Sequence, residues 1–149
     1  MEQLSFQTHI LVGGKAEGEA LVLPEALSFW GGLDPQTGDI IDQRHPSLGE
    51  NVRGRILVLP IGRGSSSASS ILLEAVRVGT APAAIITAET DAILALGAAV
   101  AREMYAKSPP VVVLEKPAYD QIRSGMWVSL SENGDLLVNS EQKAADSEQ

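Results

Sequence analysis

The stretch that most constrains the fold is residues 55–79, RILVLPIGRGSSSASSILLEAVRVG, because a strand, a glycine turn and a helix start follow one another without a break. Its first five residues are rich in Ile, Leu and Val and end at Pro60, and the lack of polar alternation predicts a strand buried on both faces. Gly62 and Gly64 then allow backbone angles that residues with a Cβ avoid. Serines 65–67 follow where a helix opens, and the first backbone N–H groups of a helix have no partners within it.

The helix predicted after this turn has an apolar stripe that would pack on the preceding strand. Its members, spaced at i, i+3, i+4 and i+7, are Leu72, Ala75, Val76 and Gly79. A strand, a glycine turn and a serine-bearing helix N-terminus form a place where an anion can be held and a hydroxyl can act. The pattern therefore predicts a functional loop, GRGSSS, at the carboxyl end of a strand, where open α/β sheets bind ligands.

Two more buried strands are predicted downstream, at residues 83–87 and 111–114, and a helix over residues 91–106 separates them. Thr90 or Asp91 can cap that helix. Its middle is apolar almost all the way round, as in a helix that is buried on several sides or packed on a partner chain. The resulting β-α-β-α-β order predicts parallel strands joined by right-handed crossovers.

Antiparallel edges are predicted at both ends of the chain. Residues 6–12 and 19–23 predict two strands that pair as a hairpin or crossed pair through a link containing Gly13, Gly14 and Gly18. An Asn-Gly turn predicts a second hairpin between residues 126–130 and 136–139. We therefore expect an α/β fold with a mixed sheet, as a sandwich or part-closed barrel that has a parallel core and flanking helices.

Composition narrows the classes of function. The net charge of −8 disfavours nucleic acid and anionic membranes as partners, because both would repel the chain. The sequence has neither an apolar run of the ~18 residues of a membrane span nor a secretion signal, so we expect a soluble cytoplasmic protein. With no cysteine, the chain cannot ligate an iron–sulfur cluster, and any such metal must belong to another chain. Residues 1–139 are expected to form one domain, and the polar tail 140–149 is expected to be disordered.

A long segment between the first strands and the central unit, residues 24–49, is rich in Pro, Gly and Asp and predicts a structured loop that lines a site. Phe29 and Trp30 stand beside the paired glycines Gly31 and Gly32, which would allow a ligand to approach the backbone closely. We interpret the two aromatic residues as interface or core residues. His45 is interpreted as a structural, hydrogen-bonded loop histidine and His9 as a strand residue on a polar face.

Several enzyme and binding motifs are missing from the glycine turns. A P-loop needs Gly-Lys-Ser/Thr, and neither GGKAEG nor GRGSSS supplies it. The dinucleotide fingerprint lacks its third glycine, and the nucleophile elbow of serine hydrolases needs a glycine where Ala68 stands. A swivelling domain of the phosphohistidine type would require a histidine in the active loop, where this chain has serines.

The motifs SFWGGLDPQTGDIID, HPSLG, GRILVLPIGRGSSSASS and AAIIT together resemble the swivelling domain of aconitase X, the small-subunit part of a two-part dehydratase family. The resemblance covers residues 18–138, and the RGSSS loop is its most specific part. It implies a swivelling β/β/α domain, and a large partner subunit that carries iron or an iron–sulfur cluster. No metal ligand is expected on this chain.

The resemblance also implies site residues. The wider aconitase superfamily has a Gly-Ser-Ser loop whose first serine is the catalytic base, and matching it onto this sequence assigns the base to Ser65. Arg63 is the nearest cation that could stabilise the alkoxide, and Gly64 and Ser66 are implied substrate contacts, together with Ser67, Gly31 and Gly32. Where aconitase and isopropylmalate isomerase have an arginine after the two serines, this sequence has Ser67, so that carboxylate contact does not carry over.

The family therefore implies a hydro-lyase subunit that is inactive without its large subunit. Two substrates fit: cis-3-hydroxy-L-proline, which the acidic composition favours, and mevalonate 5-phosphate, which would call for more cations near the loop. A hypothesis of another class is a non-catalytic binding or regulatory module that docks on a large aconitase-like chain through the apolar helix 91–105.

Overall fold

The computed structural model describes residues 3–62 and 67–140. Eight strands, two longer helices, one short helical turn and one 3₁₀ turn follow in this order: β1 (Gln3–Gln7), β2 (His9–Val12), β3 (Ala16–Val22), α1 (Phe29–Gly32, a kinked turn), β4 (Ile56–Leu59), α2 (Ser67–Val78), β5 (Ala84–Thr87), α3 (Ala92–Tyr105), β6 (Val111–Val113), the 3₁₀ turn Tyr119–Gln121, β7 (Trp127–Leu130) and β8 (Asp135–Asn139). The predicted tail lies outside these residues except for Ser140, so its disorder stays a prediction.

One mixed sheet contains all eight strands in the order β1-β8-β7-β3-β4-β5-β6-β2. Strands β3, β4, β5 and β6 are parallel neighbours, and the remaining pairs are antiparallel. The predicted β-α-β-α-β core is therefore confirmed. The hairpin predicted around the Asn-Gly turn is confirmed as well, because β7 and β8 pair from Trp127–Asn139 to Leu130–Leu136.

The sheet is nearly closed into a barrel by one stretch of chain. Strands β1 and β2 lie at opposite ends of the strand order, yet Thr8 alone separates them in sequence. Strand β1 pairs with β8 and β2 pairs with β6, so residues 3–12 join one end of the sheet to the other. The Thr8 backbone N–H and its hydroxyl both donate to the Gly134 carbonyl, at 3.0 and 2.8 Å, and hold the crossing point to the C-terminal hairpin.

The N-terminal pairing predicted from the glycines is wrong. Residues 6–12 do not pair with 19–23; strand β3 pairs instead with β4 and β7. Gly18 lies inside β3 and not in a turn. A glycine is needed there because a Cβ would lie 2.9 Å from the Gly54 carbonyl oxygen. A glycine inside a strand often marks such a close backbone approach.

Two apolar clusters lie on the two faces of the parallel core, and strand β4 serves both. Ile56 and Val58 belong to the cluster inside the barrel, while Leu57 and Leu59 belong to the cluster under α2 and α3. All four side chains are fully buried, which confirms the strand predicted to be buried on both faces. At about 1.5–3 kcal/mol for each fully buried aliphatic side chain, these four residues contribute about 6–12 kcal/mol of hydrophobic stabilisation.

Helices α2 and α3 cover the outer face of the parallel strands. Helix α2 buries Ala68, Leu72, Ala75 and Val76, which confirms three members of the predicted stripe. The fourth, Gly79, is wrong: it is exposed and lies beyond the helix at φ +95°. Helix α3 is capped by Asp91, one of the two residues predicted for that role. It has 14 residues, and none of the helices in the described ranges combines the length and apolar character needed to cross a membrane.

Candidate active site

The loops that follow the parallel strands meet at one edge of the barrel, which we call the carboxyl edge. Residues 60–62 follow β4, and their Pro60 carbonyl accepts the backbone N–H groups of Ala88 and Glu89, which follow β5, at 3.1 and 3.3 Å. A parallel bridge joins Gly62 to Leu27, which follows β3. The long segment predicted to line a site therefore contacts the start of the GRGSSS loop.

Four of the predicted site residues, Arg63, Gly64, Ser65 and Ser66, lie outside the described residues. Their assignment as base, activating cation and substrate contacts stays a prediction. The structure does define both ends of this segment: Gly62 ends the part before it and Ser67 begins helix α2 after it. Both ends lie where the sequence predicted them, at the carboxyl end of a strand and the start of a helix.

The first end of the loop is held by Asp91. The Gly62 backbone N–H donates to Asp91 Oδ2 at 2.7 Å, and the other carboxylate oxygen accepts the Leu94 N–H at 3.0 Å, capping helix α3. The Asp91 residue is only 7% exposed. A Cβ on Gly62 would lie 2.6 Å from Asp91 Oδ2, so a side chain at position 62 would displace the carboxylate.

The other end of the loop also contacts α3. A Cβ on Gly97 of α3 would lie 3.0 Å from the Ser69 carbonyl oxygen and 3.1 Å from Ser69 Cα, in the first turn of α2. The two helices are therefore in backbone contact where α2 begins. Neither this contact nor the second bond of Asp91 has a sequence signal, because glycine and aspartate occur in many helices and caps for local reasons.

The segment around Gly31 and Gly32 reaches the same edge. Gly31 has φ +81°, and no atom of residues 3–62 or 67–140 beyond its chain neighbours lies within 4 Å of the place where a Cβ would be. Gly32 is buried, and a Cβ there would lie 3.0 Å from Leu27 Cδ1. Phe29 is a core residue, as interpreted, whereas Trp30 is 64% exposed. A substrate contact by either glycine stays a prediction.

A cleft of ≈ 820 Å³ opens beside the ends of β5 and β6. Its lining is largely polar and includes Gln7, His9, Thr90, Glu115 and Lys116. Lys116 and Asp120 form an exposed ion pair at 3.8 Å, and such pairs are weak. Sequence reasoning missed Thr90 and Lys116 as site candidates, although both follow predicted strands and the rule for carboxyl ends applies to them.

Two further polar residues have structural surroundings. His45 is buried, its Nε2 lies 3.2 Å from the Glu25 carbonyl, and its Nδ1 accepts the Ser47 N–H at 3.0 Å, which confirms the structural interpretation. Tyr119 packs into the cluster inside the barrel, and its buried hydroxyl has no hydrogen-bond partner within residues 3–62 and 67–140. Burial and the nearby Asp120 raise the pKa of Tyr119 to about 12.

The described residues do not fit a metal or an iron–sulfur cluster. No three His, Asp or Glu side chains in residues 3–62 and 67–140 come together as metal ligands, and the sequence has no cysteine. Iron and iron–sulfur groups need such ligands, thiolates above all. A cluster would therefore need ligands from outside the described part of this chain.

Fold and edge together define a swivelling domain: a nearly closed mixed sheet that presents a loop between a buried strand and a helix. The profile of the family described as the aconitase X swivel domain matches residues 5–138. The chain belongs to the aconitase X swivel domain family.

Two solved structures have the same fold. The holo form of aconitase X from Thermococcus kodakaraensis gives a TM-score of 0.80 at 33% identity, covering 91% of this chain and 98% of that one. A UPF0107 protein solved in solution by NMR gives 0.77 at 38% identity, covering 89% and 97%. The resemblance drawn from the motifs is thereby confirmed along nearly the whole chain.

Relatives of known name fall into two groups. Cis-3-hydroxy-L-proline dehydratase of Pseudomonas aeruginosa is 47% identical over 122 residues, which are 82% of this chain but 21% of that protein. The phosphomevalonate dehydratase small subunit of Methanocella arvoryzae is 34% identical over 134 residues, 90% of this chain and 98% of that one. The chain thus spans about a fifth of the Pseudomonas aeruginosa protein and nearly all of the Methanocella arvoryzae subunit.

Proposed function

We propose that this chain is the swivel-domain part of an aconitase X type hydro-lyase, and that it supplies Ser65 as the base in the dehydration of a small hydroxy acid. The observation that carries the proposal is the match of residues 5–138 to the aconitase X swivel domain. The relatives in both groups described above are named as dehydratases. The proposal keeps the cytoplasmic location expected from the sequence.

The described geometry supports a base in the loop. Gly62 donates to Asp91, the N-cap of α3, and the first turn of α2 contacts Gly97 of the same helix, so the described residues on either side of 63–66 both contact the N-terminal half of α3 or its cap. The backbone N–H groups at the start of α2 favour negative charge nearby, because a helix N-terminus carries about half a positive charge. A serine alkoxide needs such stabilisation, because serine is a poor base at its ordinary pKa.

In the proposed reaction, the Ser65 alkoxide takes a proton from carbon, the electron pair of that C–H bond forms a carbon–carbon double bond, and the C–O bond on the neighbouring carbon breaks. The departing hydroxide takes a proton from solvent and leaves as water, and Ser65 then releases its proton to solvent. Arg63 would stabilise the alkoxide before proton transfer. A large partner subunit would hold the iron or iron–sulfur group, and Lewis-acid assistance to the leaving hydroxyl would belong to that chain. The isolated chain is then inactive.

We propose cis-3-hydroxy-L-proline as the substrate, in line with the 47% identity to the Pseudomonas aeruginosa dehydratase and the acidic composition of the chain. Mevalonate 5-phosphate is the second candidate. A different observation favours it: the small subunits of phosphomevalonate dehydratase have nearly the length of this chain, as the 98% coverage of the Methanocella arvoryzae subunit indicates.

The test uses the chain co-expressed with a large aconitase X subunit and supplied with each substrate separately. We expect dehydration of one substrate in the mixture and none with either chain alone. Ser65→Ala should lower kcat by about 10²–10⁴-fold, the usual contribution of a positioned base, and should leave assembly and Tm unchanged. A Ser65→Ala complex that retains near wild-type turnover would refute the assignment of the base.

A non-catalytic module on a large partner is the candidate of another class. Helix α3 favours it, because Leu96, Val100 and Met104 lie one turn apart on the helix and are 54%, 36% and 59% exposed. This hypothesis expects a stable complex with the large chain that has no activity on either substrate. Under it, Leu96→Asp would abolish binding and Ser65→Ala would change nothing.

A further inference from the structure

Asp91 makes more bonds than a helix cap requires. An N-cap needs one side-chain acceptor, and Ser, Asn and Asp serve about equally well. Asp91 uses Oδ1 for that purpose, on the Leu94 N–H at 3.0 Å, and its second oxygen accepts the Gly62 N–H at the shorter distance of 2.7 Å. Burying a carboxylate is unfavourable unless hydrogen bonds satisfy it, and here backbone donors occupy both oxygens.

Position 62 leaves room for the Asp91 carboxylate only because it is a glycine. Any Cβ at position 62 would lie 2.6 Å from Asp91 Oδ2 and 3.3 Å from Leu94 Cδ1. Gly62 is also bridged to Leu27, so the residue is held on two sides, by the helix α3 cap and by the segment after β3. The next residue along the chain, Arg63, is the first residue of the GRGSSS loop for which a role in the reaction is predicted.

The same helix fixes the far end of the loop, through the contact of Gly97 with the backbone of Ser69. The residues before the loop thus contact the N-cap of α3, and the first turn of α2 after the loop contacts Gly97, six residues further along. About 9 Å separates such positions at 1.5 Å per residue.

We infer that Asp91 is a positioning residue for the reaction, which holds the start of the catalytic loop at a set distance from the start of α2 through its bond to Gly62. The inference rests on the proposed function, since it concerns the loop that supplies the base. Asp91 has no substrate contact in this role; it acts through the backbone of Gly62. A reacting group displaced by about 1 Å can cost about a hundredfold in rate.

Two substitutions separate this role from capping. Asp91→Ser keeps an acceptor for the Leu94 N–H but is too short to reach Gly62 as well. Asp91→Asn keeps only one acceptor oxygen; when that oxygen caps the Leu94 N–H, the NH₂ group faces the Gly62 N–H, donor against donor. Val138→Ala is the matched control: it removes buried methyl groups from β8 inside the barrel and lowers stability without touching the loop.

The experiment measures kcat and KM of the complex with the large subunit, and the exchange of the Gly62 amide proton by ¹⁵N NMR of the chain. For Asp91→Ser and Asp91→Asn we expect faster Gly62 exchange, a kcat lower by about a hundredfold and a KM within about threefold of wild type. Val138→Ala, assayed below its melting transition, should keep both the kcat and the Gly62 exchange rate of the wild type.

Two results would overturn the inference alone. In the first, Asp91→Ser exposes the Gly62 amide and the complex keeps its wild-type kcat. In the second, Asp91→Ser loses no more activity than Val138→Ala at equal loss of Tm. A wild-type complex with no activity on either substrate is a different outcome, because it refutes the proposed function and the inference falls with it.

Discussion

The contact between the two long helices makes a sharp prediction for Gly97→Ala, because two effects of opposite sign compete there. Alanine in a helix interior is favoured over glycine by about 1 kcal/mol. Against this, the new Cβ would lie 3.0 Å from the Ser69 carbonyl oxygen and 3.1 Å from Ser69 Cα. Overpacking of this kind costs about 1–3 kcal/mol, and backbone atoms cannot rotate away, so the upper part of that range applies.

The balance is a net loss of about 1–2 kcal/mol for Gly97→Ala. Each kcal/mol lowers Tm by about 2–4 °C in a domain of this size, so we expect a drop of about 2–8 °C by differential scanning calorimetry of the chain. Gly97→Val should lose more, because its side chain is larger and β-branched. The control is Val100→Ala in the same helix, which is partly exposed and should change stability by no more than about 0.5 kcal/mol.

A higher Tm for Gly97→Ala would refute the reasoning, since it would mean that helix propensity outweighs the contact and that α2 can move away at little cost. The same result would weaken the argument that α3 fixes the far end of the loop. A lower Tm for both Gly97 variants, in the order Val below Ala, would support it.

Two further predictions concern the barrel interior. Tyr119 has a pKa raised to about 12 from an ordinary value of 10.0, so the unfolded state loses its proton first and stability should fall by about 1.4 kcal/mol per pH unit between pH 10 and 12. Tyr119→Phe should abolish that slope without loss of stability at pH 7, because the described part of the chain offers the buried hydroxyl no hydrogen-bond partner. Urea unfolding at several pH values measures this, and an unchanged slope would contradict it. Ile86→Ala should cost about 2–5 kcal/mol in the same assay, whereas the partly exposed Ile10→Ala should stay within about 0.5 kcal/mol; equal effects would contradict the assigned burial.

The parallel core was predictable because its strands carry their own signal. Residues such as Val58 and Ile86 lie in short runs of β-branched and aliphatic side chains, and a strand buried on both faces needs such a run whatever its neighbours are. The helix stripe and the Asp91 cap are local patterns of the same kind. These features depend on residues a few positions apart, which a sequence displays directly.

The N-terminal strands were mispredicted because strand pairing is not a local property. Residues 3–12 form two strands with different partners at opposite ends of the sheet order. No pattern within those residues indicates that the partners are β8 and β6. The glycines nearby indicated a turn, but Gly18 serves the close approach of the Gly54 carbonyl. A glycine in a sequence indicates either unusual backbone angles or a close approach by another part of the chain, and only the tertiary structure shows which of the two applies.

The candidate site divides in the same way. The GRGSSS motif and the GG pair at Gly31 and Gly32 were visible in the sequence, whereas Thr90 and Lys116 of the cleft were not singled out and the contacts of Asp91 and Gly97 had no pattern to reveal them. Sequence motifs identify the candidate catalytic and binding groups. The groups that hold them in place come from distant parts of the chain, and their identity follows only from the packing.

Under the proposed function, the base lies on this chain and the metal on another. Until the partner binds, only contacts within this chain can hold the residues on either side of the loop. The Gly62–Asp91 bond and the Gly97–Ser69 contact are such contacts, and both join the loop to one helix. Loosening either one should therefore impair catalysis more than assembly.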